Sequence, residues 1–597
     1  MDIEDLTTNT NTNTSLVNDK KNQLFVIDLV NSDVFNETEY NDIMTKLRRK
    51  YHHSPGKREM SLSYQKLLSN HKIERNLYIE DCIKHKAVRS RSGVLVVTLV
   101  MKPDKFSCPY NCHMCPDERI ANGATVDMPR SYLSTEPAEM RAMEVDFNTI
   151  GQFRSRVTTL KENGHTIDKV EIIVLGGTFS TYPRSYQEEF IRDIFYAANT
   201  YFDDQPRRAS KSLEEEQSIN ESANCHIVGL SLETRPDQIN KHEIKRLRSY
   251  GCTRVQMGVQ HTNNDLLDKI NRGHHVETSI KAVRMLKEVG FKVELHIMPD
   301  LPDTTPDMDK QMIDEVFCGP DFQPDYVKIY PCLDVKYTTI RKWKESGKWN
   351  PYAEEGNGEK LIDVLKYALE RIPYWTRDSR VQRDFPEEHR NNNHIGYSSN
   401  NIRSNLYQLI LDELRKDGKV CKSIRNREVK NKVTDLRKAK LFIEKYRASE
   451  GDEYFISYES PDRSVLYGYV RLRFNDSPSG NIFEVLKNSA LIREVHVYGN
   501  VKSVGDNQTQ EFETQHYGFG KKLMHAAEKI AFDHGYKKMA VISSVGTRNY
   551  YRKLGYHLRE TYMVKRLEDT KIENILIKMI IIFLIMYIIY IKILSKL

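Results

Sequence analysis

The chain has 597 residues, 39% hydrophobic and 29% charged, and a formal net charge of +7. That length exceeds what one core can serve, so two or three domains are expected, and the composition excludes a wholly disordered or fibrous protein. Nine cysteines, an odd number and mostly scattered, exclude a secreted disulfide framework and point to a reducing compartment.

Residues 1–20 are rich in Asn, Thr and Asp and are predicted to be disordered; they also lack the apolar stretch of a secretory signal. Residues 21–91 form a basic helical segment. Within it Lys46 to Arg91 carries 13 Lys and Arg against four acids, a local +9 that exceeds the whole-chain charge. A second basic run, Arg415 to Lys440, carries 11 against three. Two such runs are the footprint of a polyanion-binding surface, with His52, His53, Tyr64 and Tyr78 available to stack on bases; a solvated charged face is the bland alternative. Lys84, Lys86, Arg89 and Arg91 are the candidate phosphate contacts.

Six short apolar runs follow: "SGVLVVTLVMKP" (Ser92 to Pro103), "VEIIVLGG" (Val170 to Gly177), "CHIVGLSLE" (Cys225 to Glu233), "RVQMGVQ" (Arg254 to Gln260), "KVELHIMPDLP" (Lys292 to Pro302) and "YVKIYP" (Tyr326 to Pro331). Each has the length of a buried strand. Amphipathic helices lie between them, such as "SIKAVRMLKEVG" (Ser279 to Gly290), stopped by its glycine. This alternation predicts an α/β fold of parallel βαβ units, closed or partly closed into a TIM-like barrel, with sites at the strand C-termini. The polar, aperiodic stretch Asp203 to Asn224 reads as a surface insertion.

The first strand runs into "KFSCPYNCHMCPDE", which places Cys108, Cys112 and Cys115 within eight residues. Three thiolates at C-x3-C-x2-C spacing can each ligate one iron of a 4Fe-4S cluster and leave the fourth iron open. Spacing alone leaves a zinc site open, with His113 as the fourth ligand. Later strand ends carry further candidates. The Gly176-Gly177 pair lets a ligand approach the backbone. Glu233 and Arg235 emerge together from a buried strand, where an internal ion pair is the structural alternative. Gln256, Gln260, Arg272, His296 and Lys328 place polar groups at or near other strand ends.

Beyond a linker over 386–445, "QHYGFGKKLMHAAEKIA" (Gln515 to Ala531) sets a Q-x-x-G-x-G pattern before an amphipathic helix, where backbone N–H groups and the helix dipole favour a pyrophosphate. "RNYYRKLGY" follows, with Asn549, Tyr550 and Tyr551 opening a helix. Finally "ILIKMIIIFLIMYIIYIKIL" (Ile575 to Leu594) is long enough to span a bilayer if Lys578 and Lys592 snorkel. A tail anchor over 573–597 is therefore expected, with the catalytic domains in the cytosol, although an interfacial or buried helix remains open. The terminal Ser-Lys-Leu, which matches a peroxisomal address, is taken as coincidence.

The cysteine loop resembles that of the radical S-adenosylmethionine superfamily, and the glycine motif resembles GNAT acetyltransferases. Together with "STEPAEMRA", "LETRPD", "NRGHHV", "MPDLP", "YWTRDSRVQRDFP", "IRNREV" and "REVHVYG", in that order, the chain is similar to the Elongator catalytic-subunit family over about Ser92 to Lys565. The resemblance implies a radical domain over 92–385 and an acetyltransferase domain over 446–567. The cofactors it implies are a 4Fe-4S cluster on Cys108, Cys112 and Cys115, S-adenosylmethionine and acetyl coenzyme A. It gives Gly176, Gly177, Glu233, Arg235 and Gln256 to the first cofactor pair. Gln515, Gly518, Phe519, Gly520, Lys521 and Asn549 go to coenzyme A, and Lys328, Tyr550 and Tyr551 to catalysis. The implied activity is carboxymethylation at carbon 5 of the transfer RNA wobble uridine, with Elongator-type subunits as possible partners. A protein lysine acetyltransferase with a structural iron–sulfur domain, and a noncatalytic RNA-binding module, are the rival readings. The linker reads "KNKV" (Lys430 to Val433) where the family tends to have paired histidines, so no zinc site is assigned there.

Overall fold

Each of the six apolar runs becomes a strand, and a seventh joins them. In the computed structural model, which describes residues 18–32, 34–86, 90, 92–103, 108–383, 405–429, 436–476, 482–498 and 518–567, the first sheet comprises β1 (Leu95–Val100), β2 (Lys169–Leu175), β3 (His226–Thr234), β4 (Arg254–Gln260), β5 (Lys292–Ile297), β6 (Tyr326–Ile329) and β7 (Arg377–Arg380). All neighbours pair in parallel and in sequence order, so β1 and β7 form the two ends of a half-barrel. The outer face of the strands packs on helices. On that side Val97, Ile172, Leu232, Val255 and Val293 meet Phe153, Phe190, Leu247 and Leu286 in one buried core. The helix Val276–Glu288 ends just before Gly290, whose φ is +95°.

β7 reads Arg-Asp-Ser-Arg and carries no apolar signal. Its Asp378 is buried and accepts the hydroxyl of Tyr407, while Arg377 Nε donates to Glu428 Oε1 at 2.9 Å. The strand is held by polar bonds that hydropathy does not register. The same reason corrects the reading of Asp203 to Asn224 as a surface insertion. Its Ser212 and Glu215 form a capping box that starts the helix Leu213–Asn220, and Glu216, Gln217 and Asn220 are buried. Asn220 Nδ2 donates to Asn199 Oδ1 at 2.8 Å and its Oδ1 accepts from Ile227 N at 2.8 Å, so the segment is docked onto the barrel.

The basic N-terminal segment is a bundle: helices over 18–30, Glu37–Tyr51, Lys57–Ser69 and Leu77–Ile83 close around Phe25, Leu29, Met44, Met60 and Ile79. Tyr64 belongs to this core, 3% exposed, with its Oη accepting from Asn76 N at 2.8 Å. It is therefore not available for stacking, a correction to the expectation. The bundle docks through Arg58 to Glu162 at 2.6 Å and Gln65 Nε2 to Lys161 O at 2.9 Å.

A second sheet holds β8 (Lys440–Arg447), β9 (Gly451–Glu459), β10 (Leu466–Asn475), β11 (Ala490–Val497), β12 (Lys538–Val541), β13 (His557–Arg559) and β14 (Tyr562–Arg566), in the order β13-β14-β12-β11-β10-β9-β8. It begins inside the segment expected as linker, because β8 pairs along its whole length with β9. Only β11 and β12 run parallel. Their pairing stops at Ile492 with Val541 while β11 continues to Val497, so the sheet opens there. The helix Phe519–Asp533 packs against β9, β10 and β11 next to this opening. The part of the linker over Leu406–Lys416 is a helix whose Leu406, Ile410 and Leu414 join the first core. The tail over 573–597 lies outside the described residues, as does Lys430 to Val433. No helix of the described residues is long and apolar enough to cross a membrane.

Candidate active site

The cysteine loop leaves β1 and folds over the C-terminal mouth of the half-barrel. Cys112 is the most buried of its three thiols, with Arg235 Nη1 at 3.4 Å and Arg272 Nη1 at 3.6 Å from its sulfur. Cys108 Sγ accepts from Thr178 Oγ1 at 3.4 Å. Burial pushes the Cys115 thiol up to about 11, against the pull of Arg130. Arg235 is fully employed in this corner. Its Nε and Nη2 bond the Asp237 carboxylate at 3.0 and 2.9 Å, Nη2 also reaches Arg272 O at 2.7 Å, and the guanidinium lies 3.6 Å from the Tyr110 ring centre. Buried guanidiniums facing a thiol suit a thiolate-bound anionic group, and Arg272 Nε is buried without a partner among the described residues. His113 turns away: its Nδ1 lies 3.1 Å from Lys269 O and its ring sits edge-on to Trp343 at 4.9 Å. The donor set thus fits an iron–sulfur cluster on three cysteines better than zinc on three cysteines and His113.

Inside the barrel the strand registers build a polar ladder. Glu233 pairs with Gln256, Gln256 with Glu294, Gly258 with His296, and His296 with Lys328. Lys328 Nζ donates to Gln256 Oε1 at 2.6 Å, and Gln256 Nε2 donates to Ser231 Oγ at 2.8 Å. Burial lowers the Lys328 ammonium, with Glu294 and Glu233 opposing. Burial also works against the Glu294 carboxylate, but Lys328 and Arg254 hold it down at about 2. Glu233 is different: burial raises it, Lys328 only partly offsets this, and it accepts the hydroxyl of Tyr132. His296 Nδ1 lies 3.8 Å from Glu233 Oε1, and its Nε2 is buried without a partner among the described residues. Burial and the Lys328 charge keep this imidazole well below its ordinary pKa, hence neutral.

The second sheet closes the other end of the lumen. A cavity of about 780 Å³ runs from Cys108, Cys112 and Cys115 past Gly177, Glu233, His296 and Lys328 to Glu494, His496, Tyr498 and Tyr551. Tyr551 is 6% exposed and Tyr550 38% exposed. Consecutive tyrosines on one short helix therefore serve two environments, Tyr551 the shared cavity and Tyr550 the glycine turn. A Cβ at Gly520 would lie 2.7 Å from Tyr550 Oη. The helix Phe519–Asp533 begins at Gly518, whose φ is +69°, and no side chain among the described residues caps it.

Comparison with known proteins places this architecture. Residues 106–316 match the radical SAM superfamily and 324–416 its Radical_SAM C-terminal domain. A Methanocaldococcus infernus protein named tRNA uridine(34) acetyltransferase is 40% identical over 493 residues, spanning 81% of this chain and 88% of its own. Elongator complex protein 3 of Danio rerio is 38% identical, spanning 81% and 86%. The chain belongs to the Elongator complex protein 3 family. A solved structure of the archaeal Methanocaldococcus infernus Elp3 lacking residues 1–46 superposes with a TM-score of 0.66 at 36% identity, over 80% of this chain and 99% of that one.

Against the residues expected from the family pattern, the structure distributes the roles unevenly. Cys108, Cys112, Cys115, Gly177, Glu233, Arg235, Lys328 and Tyr551 line the one cavity. Gly177 has φ +78° and a Cβ there would strike the Arg130 carbonyl, so the glycine is required by the close approach of the Arg130 main chain. Gly176 packs on Met101. Arg235 serves the Cys112 corner and pairs with Asp237, not with Glu233. Gln256 is fully buried, outside the cavity lining, and accepts from Lys328 Nζ at 2.6 Å. Phe519 is a core residue, 2% exposed, with its ring packed between Tyr458 and Tyr467. Asn549 is bonded to Glu221 O at 2.6 Å, away from the expected thioester. Lys521 is exposed; Gln515, Arg89 and Arg91 lie outside the described residues. Lys84 lies 3.5 Å from Asp81, and Lys86 is exposed beside it. Sequence reasoning missed Tyr132, Tyr326, Glu494, His496 and Tyr498. These line the cavity from segments far apart in the chain, although "REVHVYG" carries three of them at alternating strand positions.

Proposed function

We propose that the chain modifies carbon 5 of the wobble uridine in transfer RNA, adding a carboxymethyl-type group whose two carbons come from acetyl coenzyme A. The observation that carries this reading is the single cavity joining the three-cysteine corner to Tyr551. The names of the family's relatives, tRNA uridine(34) acetyltransferase among them, support the substrate.

A 4Fe-4S cluster on Cys108, Cys112 and Cys115 would supply the electron that breaks S-adenosylmethionine and so provides a radical able to take hydrogen from a methyl group. The chain's own residues do the rest. Arg235 and Arg272 neutralise the thiolate corner. Glu233, oriented by Tyr132, is placed to accept from hydroxyl or amino groups of the cofactor. Lys328, fixed by Gln256, can donate to a carbonyl oxygen of the acyl group or of uracil. The N-terminal turn of the helix Phe519–Asp533 receives the coenzyme pyrophosphate through the backbone of Gly518 to Lys521, with Tyr550 against the turn. Tyr551 then directs the acyl end into the lumen, where Tyr326, Tyr469 and Tyr498 help exclude water. The basic N-terminal bundle, with Lys84 and Lys86, is proposed to hold the RNA backbone. Residues 92–385 act as the radical half and the sheet from Lys440 to 567 as the acetyltransferase half. Elongator-type subunits are the proposed protein partners.

The test is anaerobic incubation of the reconstituted chain with transfer RNA, S-adenosylmethionine, a reductant and acetyl coenzyme A labelled in the methyl carbon. Mass spectrometry should find label at the wobble uridine, with 5′-deoxyadenosine released. Unlabelled uridine, with peptides acetylated equally by a Cys108, Cys112 and Cys115 to Ala variant, would establish a protein acetyltransferase instead.

A further inference from the structure

Glu221, at the C-terminal end of the docked helix Leu213–Asn220, meets the tyrosine helix Arg548–Arg552 of the other half. We propose that Glu221 is a positioning residue: it latches that helix to the barrel so that Tyr550 and Tyr551 are presented to the coenzyme. The inference rests on the acetyl coenzyme A reading of that helix.

The geometry is a three-point attachment. Glu221 Oε1 accepts from Arg548 Nη1 at 2.9 Å, Oε2 accepts from Arg552 Nη1 at 2.5 Å, and the main-chain carbonyl accepts from Asn549 Nδ2 at 2.6 Å. Asn549 Oδ1 in turn accepts from Arg552 Nη1 at 2.6 Å, so the attachment is internally braced. The Glu221 side chain is 16% exposed and that of Arg548 10%. At this burial the bond to Arg548 is screened less than on an open surface, while Arg552 is 40% exposed. Burial alone would raise the carboxyl, but Arg552 and Arg548 hold it below the ordinary carboxylate range.

The tyrosine helix needs such support. It has five residues, too few to be stable by its own hydrogen bonds. Its preceding turn is pressed onto β3: a Cβ at Gly546 would stand 2.8 Å from His226 Cβ and 2.9 Å from Ile227 O. Glu221 is itself anchored, since Gln217 Nε2 donates to Ser249 O at 2.9 Å and Asn220 bonds β3. Arg548, Asn549 and Arg552 thus form the held side of the helix, while Tyr550 and Tyr551 reach Gly520 and the cavity.

The experiment is titration of coenzyme A into the full chain by calorimetry, with acetyl coenzyme A kinetics alongside, for the wild type, Glu221→Gln, Glu221→Arg, and Glu221→Arg combined with Arg548→Glu and Arg552→Glu. Glu221→Gln should weaken coenzyme A binding about tenfold, the loss of one to two charge-assisted bonds being passed on to the ligand. It should raise KM for acetyl coenzyme A more than it lowers kcat, with iron content unchanged. Glu221→Arg should bind still more weakly and the charge-swapped variant should recover. Wild-type affinity in Glu221→Gln and Glu221→Arg would overturn the latch, as would a loss of affinity that tracks a loss of iron, which marks general unfolding. A wild type that binds no coenzyme A would overturn the coenzyme reading and the latch together.

Discussion

Tyr326 Oη donates to Glu494 Oε1 at 2.6 Å, tying β6 of the half-barrel to β11 of the second sheet. Both residues are buried, each two positions from another group that lines the cavity: Lys328 on β6 and His496 on β11. Behind this bond, Arg493 Nη1 and Nη2 meet the Asp325 carboxylate at 2.9 and 2.5 Å, and Arg471 Nε holds Glu494 at 2.8 Å. The two halves are therefore joined by a desolvated polar seam, where geometry is strict and an unpartnered group is costly.

Tyr326→Phe removes one donor to a buried carboxylate that keeps Arg471. A loss of about 1.5–3 kcal/mol is expected, the range for a hydrogen bond to a charged group. A urea or thermal unfolding curve should show the lower midpoint, and labelled-uridine formation should fall with it. An unchanged midpoint would mean that the seam does not hold the halves together.

Acid should open the lumen. Glu494 and Glu294 sit at about 2 in the folded chain, below the ~4.3 of an unfolded glutamate. For such depressed carboxyls the unfolded state takes up protons first, so the stabilisation is complete above ~4.3 and is lost as pH falls toward about 2. Glu294→Gln should flatten that acid limb. A limb identical to wild type would remove Glu294 from the account.

Lys328→Met leaves Glu233 and Glu294 without their shared cation and Gln256 without its donor. Formation of modified uridine should drop about 10²-fold or more, the scale for losing one preorganised donor, while iron content stays at the wild-type level. Mass spectrometry of the wobble nucleoside, read against iron assay, checks both halves of this expectation.

The cavity glycine Gly177 and the turn glycine Gly520 should fail differently. Gly177→Ala places a Cβ against the Arg130 carbonyl at φ +78°. It should lower the melting temperature and iron uptake, with about 1–2 kcal/mol from the backbone conformation alone. Gly520→Ala pushes Tyr550 Oη off the turn, so it should raise KM for acetyl coenzyme A and leave iron uptake intact. Equal effects of the two on iron would contradict this division.

Cys112→Ser tests the thiol corner directly. Its sulfur is the one that Arg235 and Arg272 both approach, and serine is a poor ligand for iron. The reconstituted variant should lose the iron–sulfur absorption bands. Full iron content with unaltered bands would show that Cys112 is not a ligand.

Much of the barrel was readable because six of its seven strands are rich in apolar residues on the side that meets the helices, which composition alone marks. The cysteine spacing and the Q-x-x-G-x-G pattern are equally local, since a loop ligand set or a phosphate turn is written within a dozen residues. β7 and the docked helix Leu213–Asn220 were not legible in this way. Their burial is secured by Asp378, Glu216 and Asn220 bonding to distant groups, and one-dimensional hydropathy counts such residues as surface.

The amino-acid sequence by itself marked the three-cysteine loop, the alternation of strand and helix and the Q-x-x-G-x-G pattern, because these depend on neighbours a few residues apart. Only the tertiary structure decided that Arg235 faces Cys112, that Lys328 donates to Gln256, that Asn549 is held by Glu221, and that the three cysteines and Tyr551 line one cavity. Those outcomes depend on side-chain direction and on contacts between segments from 72 to 328 residues apart, and for the strand residues a shift of one register would turn each group to the opposite face.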